Sequence, residues 1–525
     1  LVKTFDSFGG FEKVRIFGKV RDFCLGLWQG FASCVKMKDA WWFFLLTIMI
    51  WGCYWMMSAS ILWAVQGMAT DSIDPGLAAS VAGLKELGTI PQARHTYRFL
   101  NTAYPCLNEK QLAIGEATFG GPDTLINPKG WFNIEELERI VLQRCDNARD
   151  AIRLMGELVK KYGYGDGGEC LTIADKNEVW EFEIVGEGKQ KIGACWAAQR
   201  IPDDEVGVNA NIPRIGKLQR NNPDYFMCSD NCERVAKKYG LWDGKSEFKF
   251  WKAFNTSYAN GKNFREREWF ILNTLAPSLH LSMDADELPF SVKPDAKVSV
   301  RQVMELFRST YEGTSLNMTQ NLRTVVNRKD AKGNTYQDTI ISPIANPWMN
   351  SNAISTYNYL SPNAVTFRRT VSVAWCSYSF ITQLRDWLPD AIGGVCWMAP
   401  DNPAQTPRVP IFCGNTRLPK AYDVCGQRGY NEKALIWKYR KANKLATVAW
   451  GRTKDMFEKE YRTQQDNAFA GLDKLERQVR QQIDNDNPIQ AANLMNDYTL
   501  KVYDETTLAW KNLEERLWHF FGMGF

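Results

Sequence analysis

The chain has 525 residues, 45% hydrophobic and 13% aromatic, so it can bury one large core or two moderate ones. Its 64 basic and 59 acidic residues leave a net charge of only +5, and no run of lysine or arginine is long enough to follow a phosphate backbone. Nucleic acid is therefore excluded as an expected partner. Thirteen cysteines without a repeated spacing predict no metal site and no complete disulfide framework, and no cofactor is expected.

The first predicted element is a membrane helix. Residues 40–68 contain no charged side chain and are rich in bulky apolar ones, and about 20 such residues span a bilayer. Lysines and arginines are frequent before this segment, whereas the first charges after it are Asp71 and Asp74. The basic flank should stay cytoplasmic, which predicts a membrane-anchored protein with everything after the helix on the outer, periplasmic or extracellular side. The alternative is a buried core helix.

Residues 69–87 are small and mixed and predict a linker, and residues 88–525 are expected to form one further domain. The chain opens on Leu1 rather than methionine, which we interpret as a fragment, a processed product or a gene model opened at the wrong place.

After the linker, the pattern alternates between strand and helix types. Apolar residues at helical spacing predict helices over residues 134–144 and 148–159, and strict alternation predicts a half-buried strand over residues 178–185. Residues 175–177 are interpreted as a hairpin turn rather than as part of a carboxylate pair. The remaining expectations are strands within residues 107–116, 367–383 and 394–413, and amphipathic helices over residues 432–517. The fold class is α+β.

Four sequence blocks lie in the order and approximate spacing of one known family. They are residues 97–116, which contain Leu107-Asn108-Glu109-Lys110, then residues 168–180, 193–203 and 209–216. Later segments, residues 288–294, 311–314 and 379–394, match further signatures of that family. On these blocks the chain resembles the bacterial dipeptidase A type of cysteine dipeptidase, in the superfamily of N-terminal-nucleophile hydrolases. Residues 11–57 also resemble a piece of a lysylphosphatidylglycerol-synthase-type flippase.

The resemblance implies a four-layer αββα sandwich and a dipeptidase that releases amino acids from dipeptides. It implies an N-terminal cysteine as nucleophile, with its own α-amino group as the base, which titrates near neutrality. That mechanism needs no histidine base, in keeping with a chain that has only three histidines. It also implies Asn108 as the first candidate for the oxyanion donor and Asn211 as the second. Arg214 is a candidate to orient the substrate, or alternatively to pair with an acid.

The expected nucleophile is not recognisable in the sequence. Upstream of Gly88 the cysteines are Cys24, Cys34 and Cys53, all in the membrane-like part, and none opens the glycine-rich hairpin of the family. Cys106 and Cys170 lie inside the matched blocks but have no free α-amino group. The chain as given is therefore expected to be inactive.

Three hypotheses remain: a dipeptidase-family chain whose start was lost or fused, a membrane-tethered peptide-binding pseudoenzyme, and a lipid-handling membrane protein with an appended domain. The expected partners are a dipeptide or short peptide and, through the N-terminal helix, a membrane. A homo-oligomer is compatible with the sequence.

Overall fold

A computed structural model describes residues 87–255 and 262–523. The chain divides into two compact units, Leu1–Ile73 and Asp74–Phe525, and the described residues belong to the second. The predicted membrane helix over residues 40–68 and the three upstream cysteines lie outside the described residues. Among those that are described, no helix is both long and apolar enough to cross a membrane.

Fourteen strands occur in the described part of the chain, in chain order β1 Phe99–Leu100, β2 Leu107–Asn108, β3 Ala113–Gly120, β4 Gly168–Ala174, β5 Val179–Gly186, β6 Ala194–Ile201, β7 Val206–Gly207, β8 Phe226–Cys228, β9 Ser291–Val292, β10 Arg323–Lys329, β11 Thr335–Ile341, β12 Tyr378–Gln383, β13 Val395–Pro400 and β14 Val409–Phe412. A seven-stranded sheet has the order β1-β2-β3-β4-β5-β6-β8, and a three-stranded sheet the order β12-β13-β14. Two-stranded ribbons pair β10 with β11 and β7 with β9. All these pairings are antiparallel.

The helices described are α1 Ile134–Arg144, α2 Ala148–Tyr162, α3 Cys232–Lys238, α4 Phe250–Phe254, α5 Lys262–Leu275, α6 Val300–Arg308, α7 Ser351–Leu360, α8 Asp390–Gly393, α9 Leu435–Ala446, α10 Trp450–Ala470, α11 Leu472–Asp484 and α12 Pro488–Gly522. The predicted helices over residues 134–144 and 148–159 are confirmed. Helix α1 begins where Asn133 and Glu136 form a reciprocal capping box, which satisfies two backbone N–H groups that a helix start leaves free.

The large sheet packs helices against one face. Ile114, Leu171, Ile173 and Phe182 from strands β3, β4 and β5 share a core with the apolar sides of α1 and α2. This packing works because side chains alternate along a strand and recur every three to four residues along a helix.

The other face of the large sheet contacts the small sheet. Leu107 and Ala113 share a core with Met398 and Ile411 of strands β13 and β14. The opposite face of the small sheet packs on the C-terminal helices, with Val395, Trp397 and Phe412 beside buried residues of α11 and α12. These contacts therefore arrange the layers in the order helix, sheet, sheet, helix.

Two sequence predictions need correction here. The strand predicted over residues 367–383 is confined to Tyr378–Gln383, because the residues before it form turns and extended chain. The strand predicted as half-buried is β5, and it is buried on both faces from Trp180 onward. It is buried because it lies inside the seven-stranded sheet and is covered on both sides. The alternation of polar and apolar residues correctly predicted a strand but wrongly predicted that one face of it is exposed.

Candidate functional site

The predicted turn at Asp175 is confirmed and also supports a helix. One carboxylate oxygen of Asp175 accepts hydrogen bonds from the backbone N–H groups of Asn177 and Glu178, and the other accepts one from the backbone of Ala148 at the start of α2. Asp175 is therefore a structural residue that joins a hairpin to a helix N-terminus.

Asn108 lies at the end of β2, with its side chain 1% exposed. Its Nδ2 donates to the carbonyls of Leu142 and Cys145, both at 2.8 Å, so both amide hydrogens are used. Its Oδ1 accepts from the backbone N–H groups of Lys110 and Leu112 at 2.9 and 3.0 Å. The side chain ties the β2–β3 turn to helix α1, and it has no N–H left for an oxyanion in this arrangement.

Asn211 has a different environment. Its backbone is left-handed, with φ of 62°, a conformation that asparagine tolerates better than most residues. Its Nδ2 donates to the carbonyl of Thr118 at 2.8 Å, and its Oδ1 accepts from Arg267 at 3.0 Å. Because an amide nitrogen has two hydrogens and only one of them has an acceptor among the described residues, this geometry leaves one N–H of Asn211 for a ligand.

The structure does not bring Asn108 and Asn211 together. Asn108 is hydrogen-bonded to Leu112, next to Ala113 at one end of β3, whereas Asn211 contacts Thr118 near the other end. Five residues of strand separate these points by roughly 17 Å. The two asparagines therefore cannot serve one oxyanion.

Arg214 is paired with acid, which was one of its two predicted roles. Its guanidinium forms a buried ion pair with Glu268 and donates to the backbone carbonyl of Leu288 at 3.2 Å. Its own backbone N–H donates to the carboxylate of Glu183. These contacts fix the loop that carries Asn211, and no described contact commits Arg214 to a substrate.

A cluster of carboxyl groups surrounds the same end of β3. The hydroxyl of Thr118 donates to Glu116 at 2.7 Å, and Glu116 shares a hydrogen bond with Glu169 on the neighbouring strand. Burial, together with that shared hydrogen bond, raises the pKa of Glu169 to about 10. Glu169 therefore keeps its proton at neutral pH.

Helix α1 contributes further acids to this cluster. Glu138 is 0% exposed, and neither of its carboxylate oxygens has a hydrogen-bond partner among the described residues. Burial, then the charge of Glu116, raises its pKa well above the ordinary value. The pKa of Glu135 is raised by burial as well. We call these four residues, Glu116, Glu135, Glu138 and Glu169, the acidic cluster.

A second polar cluster lies on the opposite face of the same strands. Cys170, directly across from Glu183, and Glu181, two residues from Glu183, place a sulfur and two carboxylate oxygens within 4.8 Å of one another. Burial raises the pKa of Glu181 to about 7 and that of Glu183 to about 8. Asn209, two residues before Asn211, donates to Glu181 at 2.6 Å.

The ten cysteines in the described part of the chain are poor candidates for the nucleophile. All are internal residues, so none has an α-amino group of its own. Burial raises the pKa of the Cys145 and Cys413 thiols to about 12, and raises those of Cys170 and Cys396 as well. A raised pKa lowers the thiolate fraction, which is the reactive form.

Sequence analysis missed both carboxyl clusters. Glu181 and Glu183 stand at alternate positions of a strand, where glutamate ordinarily indicates a solvent face. Glu116 and Glu169 are far apart in sequence and meet only through the pairing of β3 with β4. Glutamates in otherwise apolar strands were the sequence signal that could have indicated these clusters.

Comparison with known proteins agrees with the family resemblance that the sequence blocks indicate. The model of peptidase family C69 matches residues 78–463. A probable dipeptidase of Latilactobacillus sakei is 27% identical over 352 residues, which cover 64% of each chain. A probable dipeptidase B of Streptococcus pyogenes serotype M1 is 25% identical, over 59% of this chain and 55% of its own. A probable dipeptidase of Salmonella dublin is 27% identical, over 53% and 54%.

The chain therefore belongs to peptidase family C69. Its matches span between about half and two thirds of the length of these curated relatives.

Proposed function

We propose that the domain acts on dipeptides by cysteine-dependent hydrolysis. The observation that carries the proposal is the match of the C69 model to residues 78–463, with relatives named as probable dipeptidases. The order of layers in the structure supports the finer inference that the fold is the four-layer αββα sandwich of N-terminal-nucleophile hydrolases. Helices α1 and α2 form one outer layer and the C-terminal helices the other.

Of the two candidate asparagines, we infer that Asn211 is the oxyanion donor. A thiolate adding to the peptide carbonyl places negative charge on oxygen, and a fixed amide N–H stabilises that charge. Asn211 has one N–H available and is held rigidly by Thr118 and Arg267. When the second amino acid leaves as a free amine, a thioester remains, and water hydrolyses it. Each turnover therefore yields two amino acids.

We further propose that the acidic cluster recognises the free amino terminus of a dipeptide. Thr118 links the two parts of the site, because its carbonyl accepts from Asn211 and its hydroxyl donates to Glu116. Within the acidic cluster, both carboxylate oxygens of Glu138 and one of Glu169 have no hydrogen-bond partner among the described residues. An ammonium group can donate three hydrogen bonds to such oxygens. Recognition of this group would distinguish dipeptides from internal segments of a protein.

Two preparations test these proposals: the full chain, and a hybrid in which the cysteine-opening segment of a related dipeptidase precedes Gly88. The hybrid should hydrolyse dipeptides and lose that activity on thiol alkylation, whereas N-acetylated dipeptides should be poor substrates. Calorimetry should show that the full chain binds dipeptides, and binding without turnover would favour the peptide-binding pseudoenzyme. A folded hybrid that neither binds nor cleaves dipeptides would refute the proposed function.

Asn211→Gly in the hybrid tests the oxyanion donor. Glycine accepts the left-handed backbone, so the substitution removes the amide without adding strain. It should lower kcat by about a hundredfold or more. Asn363→Gly is the matched control, since Asn363 is exposed, has φ of 63° and lies outside the proposed site. Equal turnover in the two variants would exclude Asn211 from this role.

A further inference from the structure

The second polar cluster has the composition of a metal site. Cys170 on β4 and Glu181 and Glu183 on β5 direct their side chains to the same face of the sheet, the face opposite helices α1 and α2. Their ligand atoms lie within 4.8 Å of one another. All three side chains are buried, with exposures of 1%, 4% and 0%.

Glu183 supplies the independent sign that a ligand is missing. Its Oε1 accepts the backbone N–H groups of Arg214 and Ile215, the latter at 2.9 Å. Its Oε2 is buried and has no hydrogen-bond partner among the described residues. An unpartnered buried carboxylate oxygen is costly, and a bound cation would satisfy it.

The donor set selects a class of ion. Thiolate suits zinc and related soft or borderline ions, whereas carboxylate oxygen also accepts harder ones. Sulfur at about 2.3 Å and carboxylate oxygens at about 2.1 Å from a tetrahedral ion lie about 3.5 Å apart, so only a small closure of the three groups is needed. The carbonyl oxygen of Ile212 lies 3.9 Å from the Cys170 sulfur and is placed to be the fourth donor.

The surroundings tolerate the added charge. Arg214 approaches Glu183 through its backbone, but its guanidinium is already paired with Glu268. The Cys170 thiol donates to the carbonyl of Ile212, and its proton would be released when an ion binds.

We propose that Cys170, Glu181 and Glu183 bind one divalent transition-metal ion of the zinc class. The ion supports the loop at residues 209–215, because Asn209 bonds both to Glu181 and, at 3.0 Å, to the backbone N–H of Asn211. This site is separate from the proposed peptidase chemistry, which needs no metal. Its role is to fix the position of Asn211.

Cobalt(II) is the probe, because cobalt bound to thiolate gives a sulfur-to-metal charge-transfer band in the near ultraviolet. The purified, reduced full chain should develop this band with one equivalent of cobalt(II) and lose it when zinc(II) is added in excess. Cys170→Ser should abolish the band, and Glu183→Gln should weaken cobalt binding at least tenfold. Cys195→Ser, a substitution at another fully buried cysteine of the same face, should leave the band unchanged.

Thermal denaturation provides a second measurement that does not depend on the sulfur. Zinc(II) should raise the Tm of the full chain and of Cys195→Ser but not that of Glu183→Gln, whose amide keeps the size of the carboxylate. A full chain without a band, a band that persists in Cys170→Ser, or equal zinc stabilisation in Glu183→Gln would each overturn the proposal. Dipeptide binding measured on the same samples separates failure of the metal site from failure of the proposed function.

Discussion

Replacing Glu138 by glutamine should stabilise the domain at neutral pH, although it removes an ionisable residue from a cluster that resembles a functional site. Burial holds the pKa of Glu138 well above its ordinary value of 4.5, so the unfolded state loses this proton at a lower pH than the folded state does. A carboxyl group with a raised pKa therefore contributes full stability only below its unfolded pKa and loses it as pH rises. Glutamine has the same shape and does not titrate.

Over the pH range above 4.5 in which the folded state keeps this proton and the unfolded state does not, each pH unit costs the wild-type fold about 1.4 kcal/mol. Urea denaturation should therefore show Glu138→Gln to be more stable than wild type at pH 7, with a difference that grows as the pH rises from 4.5, and nearly equal to wild type at pH 4. Glu178→Gln is the control of opposite sign, because hydrogen bonds from Arg149 help to lower the pKa of Glu178. A stability difference for Glu138→Gln that does not change with pH would refute the reasoning.

Three further predictions follow from single contacts or segments. Asn108→Ala should destabilise the fold by about 3 kcal/mol, because it leaves two buried carbonyls and two backbone N–H groups unpaired. An unchanged midpoint in urea titrations would contradict this structural role. Gly186→Ala should lower the free energy of unfolding by about 1–3 kcal/mol, because its new Cβ would lie 2.1 Å from the carbonyl oxygen of Leu125. A Tm equal to that of wild type in thermal denaturation would disprove the clash. The membrane anchor over residues 40–68 remains a prediction. The full chain should fractionate with detergent-extractable membranes, and a chain lacking residues 1–87 should not. A full chain in the soluble fraction would favour a buried helix.

The sequence alone determined the family and many of the local elements. Helix α1 was predicted with its observed bounds because its apolar spacing and its Asn133 cap act within one short segment. The turn at Asp175 was predicted for the same reason, since its hydrogen bonds join residues two and three apart. The family blocks singled out Asn211, and its role as oxyanion donor remains a prediction.

The tertiary structure decided which polar residues meet. Asn108 was the first candidate for the oxyanion donor and Asn211 the second, yet strand β3 separates them and backbone groups use the whole amide of Asn108. No cation site was expected from the cysteine spacing, because Cys170 and Glu183 become neighbours only through the register of β4 with β5. Pairing register and burial on both faces of a sheet depend on contacts between distant segments, which local periodicity does not encode.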